Sequence, residues 1–96
     1  MRNYEIMYIL RADLDETARK EAQDTIHGIL TSNGATIESV DEKLGLRDLA
    51  YPINDQLKGF YVVLKVTADE AALKEFGRLV KINSNVLRHL VVVDHE

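Results

Sequence analysis

Cysteine is absent from the 96 residues. Disulfides, thiol nucleophiles and thiolate metal sites are therefore excluded, and a cytosolic address is expected. No run of 18 apolar residues exists, so no segment is long enough to span a bilayer as a helix. The opening Met1-Arg2-Asn3-Tyr4-Glu5 lacks the apolar stretch and small-residue cleavage site of a secretory signal. Glycine-rich phosphate loops are missing, and so is any excess of base. Lys plus Arg is 12 against 16 for Asp plus Glu, a net charge of −4. The field of an acidic domain repels phosphate, so nucleic-acid binding would need a local basic patch or a basic partner. Apolar residues make up 46% and charged residues 29%, as in an ordinary soluble domain. At this length a single domain over residues 1–96 is expected, with one core between two layers.

The pattern along the chain reads as six elements. Residues 3–10 alternate as a strand, and Tyr4, Ile6, Tyr8 and Leu10 form the more apolar parity. Leu14, Ala18, Ala22, Ile26, Ile29 and Leu30 recur at helical spacing over 14–32. Asp13 or Asp15 is the expected N-cap, and Asn33-Gly34 the stop. Residues 35–53 carry two extended runs around a polar middle. Gly45 marks a bulge, and the single proline, Pro52, closes the second run. A polar hairpin connection is expected over 54–59. Residues 60–67 form a third strand with Phe60, Val62, Leu64 and Val66 on one face. Thr67-Ala-Asp-Glu70 reads as a capping box with Thr67 at the N-cap. Leu73, Phe76, Leu79 and Val80 then form the stripe of a second helix ending near residues 81–83. Residues 86–93 make a last strand whose inward parity the sequence leaves open. The order β-α-β-β-α-β, with right-handed crossovers, points to an α+β ferredoxin-like fold. That fold has a four-stranded antiparallel sheet with two helices packed on one face.

Nothing in this chain assembles into catalytic machinery. His27, His89 and His95 show no ligand spacing, so no metal, cofactor or catalytic site is expected. His27 and His95 read as solvated and His89 as half-buried. The start of the first helix carries Asp13, Asp15 and Glu16, which suit the helix dipole and would repel an anion there. Lys58-Gly59-Phe60 matches the start of an RNA-recognition-motif strand, but Tyr61, Val62 and Lys65 break the match. Phe60 also shares parity with the core residues. On the open face, Met7, Ile9, Tyr61 and Val63 form a candidate apolar patch for a partner protein.

A longer pattern is specific. Gly45-Leu46-Arg47-Asp48-Leu49-Ala50-Tyr51-Pro52-Ile53, followed by Lys58-Gly59-Phe60-Tyr61, resembles the family of protein six of the bacterial small ribosomal subunit. The opening Met1-Arg2-Asn3-Tyr4-Glu5 and the closing Ile82-Asn83-Ser84-Asn85-Val86-Leu87-Arg88 are similar to that family's ends. The resemblance implies the same ferredoxin-like fold and a structural, non-enzymatic ribosomal protein with a cytoplasmic, ribosomal address. It implies binding to the central domain of small-subunit ribosomal RNA together with ribosomal protein eighteen, as a heterodimer. Arg2, Arg47 and Arg88 match its motifs and are the first RNA-contact candidates, because guanidinium forks suit phosphate. Lys43, Lys58 and Lys81 are the second set. Tyr4, Leu49 and Ile53 are expected to pack. Tyr51-Pro52 is expected to end the strand and orient the hairpin. Without the resemblance, a regulatory or oligomerising domain that pairs sheets and has no RNA role, or a small enzyme, remains open on this fold.

Overall fold

Tyr4, Ile6, Tyr8 and Leu10 are all buried on one side of the first strand, which sets the orientation of everything else. The structure, a computed structural model, describes residues 2–53 and 56–94. The elements are β1 (Arg2–Arg11), α1 (Glu16–Ser32), β2 (Thr36–Ile53), β3 (Gln56–Ala68), α2 (Glu70–Lys81) and β4 (Val86–Val93). They build one sheet in the order β2-β3-β1-β4. All three pairings are antiparallel. Each β-α-β crossover therefore skips one strand, as the ferredoxin-like arrangement requires.

Both helices lie on the face lined by the buried parity. Ala22, Ile26 and Leu30 of α1, and Ala72, Phe76 and Val80 of α2, close the core over Val62, Leu64 and Val66 of β3. The spacing of four residues puts each set on one stripe. Asp15 is the N-cap of α1, its carboxylate accepting from the Ala18 amide at 2.7 Å. Asp13 instead pairs with Arg11 at 2.8 Å. The helix ends in a Schellman turn. Ala35 N–H donates to Leu30 O at 3.0 Å and Gly34 N–H to Thr31 O at 3.2 Å. Gly34 supplies the positive φ of +87° that this turn needs.

Three sequence expectations change. The N-cap of α2 is Asp69, accepting from the Ala72 amide at 2.9 Å, and not Thr67. Thr67 is still paired with Asn3 in the sheet, and its hydroxyl lies 2.9 Å from Asn3 Oδ1. The ladder outcompetes the cap because the strand continues to Ala68. The two runs of residues 35–53 are one 18-residue strand. Its polar middle is absorbed by register shifts, one of them between Asp41 and Gly45. Gly45 has a φ of +54°, so the expected bulge is there. The hairpin connection expected over 54–59 is shorter, since strand pairing resumes at Gln56. Asn54 and Asp55, which were part of that connection, lie outside the described residues, as do Met1 and His95. Among the described residues no helix is long and apolar enough to cross a membrane.

Candidate nucleic-acid and partner interface

Strand register places one row of side chains on the face that carries no helix. Glu5, Met7 and Ile9 of β1 stand opposite Lys65, Val63 and Tyr61 of β3. On the other side they stand opposite Val92, Leu90 and Arg88 of β4. Side chains directly opposite in a sheet share a face. Met7, Tyr61 and Val63 are half-buried there, while Leu90 and Val92 are 54% and 50% exposed. Leu90 and Val92 were not among the sequence candidates because β4 is apolar at both parities. Only pairing with β1 assigns its inward set.

Ile9 departs from its expected role. It is only 5% exposed although it lies on the helix-free face. Its Cγ2 sits 2.3 Å from where a Cβ on Gly59 would stand, with Leu49 Cδ2 at 3.3 Å. The end of the β2–β3 hairpin thus covers it. Tyr51, from that hairpin end, reaches β4, where Arg88 Nη1 donates to its hydroxyl. The Arg88 guanidinium carbon also stands 5.5 Å from the Tyr51 ring centroid, within cation–π range. Ile9 is therefore mostly packed under the hairpin and reaches the open face only where it lines a groove with Met7, Arg88 and Leu90, while the more exposed part of the patch is Met7, Tyr61, Val63, Leu90 and Val92.

The cationic candidates divide. Arg47 is opposite Gly59, and Gly59 is opposite Arg11, so Arg47 sits at the end of the sheet where Arg88 lies. Arg47 Nε donates to Leu44 O at 3.1 Å, which leaves its terminal nitrogens outward. Lys58 is at the same end, 3.9 Å from Asp48. Lys81 closes α2, and the loop after it meets this end where Arg11 N–H donates to Asn85 O at 2.9 Å. Lys43 lies in the irregular middle of β2, beside Lys65 along one groove. Arg2 is opposite Ala68 at the far end of β1. Seven strand positions, about 23 Å, separate it from Ile9. Arg2 therefore does not share one surface with Arg47 and Arg88. Among the described residues, Arg2, Arg47 and Arg88 have no ion-pair partner, whereas Arg11 and Arg78 do.

Buried polar groups are internally matched. Tyr8 hydroxyl and His27 Nε2 are hydrogen-bonded at 2.9 Å. Burial pushes the Tyr8 hydroxyl up, and the Glu42 and Asp24 charges add to this. Burial holds His27 below the usual imidazole range, partly opposed by Asp24 and Glu42. His27 is thus a tethered, half-buried partner of the core and not the solvated side chain expected. His89 packs edge-on to Phe76 and is lowered by burial and by the Lys81 charge. Among the described residues no group of His, Asp and Glu could hold a metal ion. Tyr4 packs in the core, and Leu49 packs at Gly59.

Comparisons with known proteins bear on the whole chain. The family model of ribosomal protein S6 matches residues 3–93. Small ribosomal subunit protein bS6 of Halalkalibacterium halodurans is 52% identical over 96 residues, covering all of both chains. The protein of the same name from Shouchella clausii has the same identity and coverage. The crystal structure of 30S ribosomal protein S6 from Thermotoga maritima superposes with a TM-score of 0.89 at 23% identity, over 97% of this chain and 87% of that one. A family match over nearly every residue, and full-length relatives at this identity, place the chain in the ribosomal protein S6 family, structural and non-enzymatic components of the small ribosomal subunit.

Proposed function

We propose that the protein binds the central domain of small-subunit ribosomal RNA jointly with ribosomal protein eighteen, as a heterodimer. The observation that carries this reading is the adjacency of two surfaces. A half-exposed apolar row lies on the helix-free face, and Arg47 and Arg88 flank its end with no acidic partner among the described residues. The apolar row suits a protein partner, because such a surface is otherwise left in water. The two guanidinium groups suit phosphate. Arg88 gives Tyr51 one donor and keeps the rest of its fork. Lys58, Lys43 and Lys81 add weaker, more scattered charge, and Arg2 lies apart from them at the far end of β1.

Two arginines on one surface of a protein with net charge −4 are too few for tight binding alone. Each phosphate neutralised contributes a salt slope of about 0.7–0.9, so a slope near 2 is expected for this chain. The partner supplies the remaining phosphate contacts. Titrating the central-domain RNA with this protein, with protein eighteen, and with both tests the reading. Weak binding by each alone and tight binding by the pair is expected, with Arg47→Ala weakening the ternary complex. Tight and steeply salt-dependent binding by this chain alone, or a stable homodimer through the open face in place of the heterodimer, would overturn it.

A further inference from the structure

The two edge strands of the sheet, β2 and β4, are built differently. β2 carries Asp41, Glu42, Lys43, Asp48 and Pro52, and its register shifts between Asp41 and Gly45. Charge, proline and bulges keep an edge strand from pairing with another chain. Between Arg88 and Asp94, β4 runs His-Leu-Val-Val-Val, with no Lys, Arg, Asp, Glu or Pro and no register shift. The direction of its backbone groups follows from the pairing with β1. Asp94 N–H donates to Asn3 O at 2.9 Å, which makes this a bonded position of the antiparallel ladder. Bonded and unbonded pairs alternate. Val92, Leu90 and Arg88, opposite Glu5, Met7 and Ile9, therefore also bond inward. The N–H and C=O groups of His89, Val91 and Val93 point off the edge, and among the described residues no turn, loop or cap bond takes them up.

We propose that this edge pairs with the same edge of a second copy of the chain, antiparallel about Val91, so that two sheets join into one. A two-fold axis at Val91 sets Val91 opposite Val91 and His89 opposite Val93. These are the residues with outward backbone groups, so each pair exchanges both of its hydrogen bonds. The same register sets Leu90, 54% exposed, opposite Val92, 50% exposed, and joins the apolar rows of the two open faces. It also sets Arg88 opposite Asp94, once at each end. Opposite charges directly across a strand pair stabilise it, and like charges destabilise it. Moving the register by two residues in either direction sets one of these charges opposite Val92 or Leu90 instead. The charges therefore select the register that the backbone allows. The paired stretch is short, which makes the dimer a weak one. It uses the edge of the sheet and not the open face. It engages Arg88, so it belongs to the protein off the RNA.

Amide hydrogen exchange of the intact protein, read by NMR from about 50 µM to about 1 mM, tests this in the range of weak association. The His89, Val91 and Val93 amides should slow by about threefold across that range, for a dissociation constant of about 0.1 mM. The Leu90 and Val92 amides already bond to β1 and should not respond. This arm needs no variant. Sedimentation equilibrium supplies the second. Asp94→Arg should raise the dissociation constant by about tenfold or more, because it sets like charges against each other at both ends. Adding Arg88→Asp to that variant reverses both charges and should restore the parental value. Exchange at the three edge amides that does not change with concentration would overturn the proposal. So would association that protects other amides instead, as face-to-face packing does, or a folded double variant that associates no better than Asp94→Arg alone.

Discussion

The two faces of this sheet use the same strands for opposite ends. On the helix side, Ile6, Tyr8, Leu10, Val62, Leu64 and Val66 are fully buried. On the other side the same strands offer Met7, Val63 and Tyr61 half-covered, with Leu90 and Val92 half-exposed. The helix side is specified by volume, because close-packed interiors feel every methylene removed. The open side is specified by what is left uncovered, and a free monomer gains little stability from it. The difference teaches that the apolar character of a strand residue says little until its face has an owner.

The comparison is sharpened most by truncating each face in turn. Phe76→Ala should cost about 3–5 kcal/mol and Leu30→Ala about 2–5 kcal/mol in urea unfolding, as core truncations do. Val92→Ala should stay within about 0.5 kcal/mol, as exposed positions do. A loss below about 0.5 kcal/mol at both core positions would break the assignment of faces.

Next in size are the helix caps that hold the covered face in place. Asp69→Ala should cost about 1 kcal/mol, since the Ala72 amide loses its acceptor. Thr67→Val should cost less, because that hydroxyl bonds only exposed side chains. Equal losses, measured by thermal unfolding, would restore Thr67 as a cap.

Protonation probes the same layer. Burial holds His27 and His89 below the ordinary imidazole value of 6.5 in the folded chain. On acidification the unfolded chain therefore takes up protons first. The stability these groups contribute is complete above about pH 6.5 and is lost as pH falls through their folded values. Unfolding free energy should decline from pH 7.5 towards pH 5, and His27→Gln should flatten that decline. A flat profile in the parent would contradict the burial of both rings.

The smallest effect is expected on the hairpin. Lys58 and Asp48 are both largely exposed and 3.9 Å apart, so Asp48→Asn should change stability by less than about 0.5 kcal/mol. If Lys58 contacts RNA, the same change should leave binding equal or slightly stronger, because it removes a competing carboxylate.

The sequence by itself determined the element order, the helical stripes, the core parity of β1 and β3, and the Asn33-Gly34 stop. These follow from local chemistry: periodicity, a residue free to take positive φ, and acid at a helix start. Arg2, Arg47 and Arg88 came forward as RNA-contact candidates only through the resemblance of their motifs to the family's. Tertiary structure decided what depends on neighbours distant in the chain. Pairing with β1 chose the outward set of β4, and the ladder kept Thr67 from capping α2. Close approach at Gly59 buried Ile9, and the hairpin end brought Tyr51 to Arg88, 37 positions away. Strand length put Arg2 at the far end from Arg47. No local pattern encodes such distances, because they are fixed only when strands from different parts of the chain lie side by side in register.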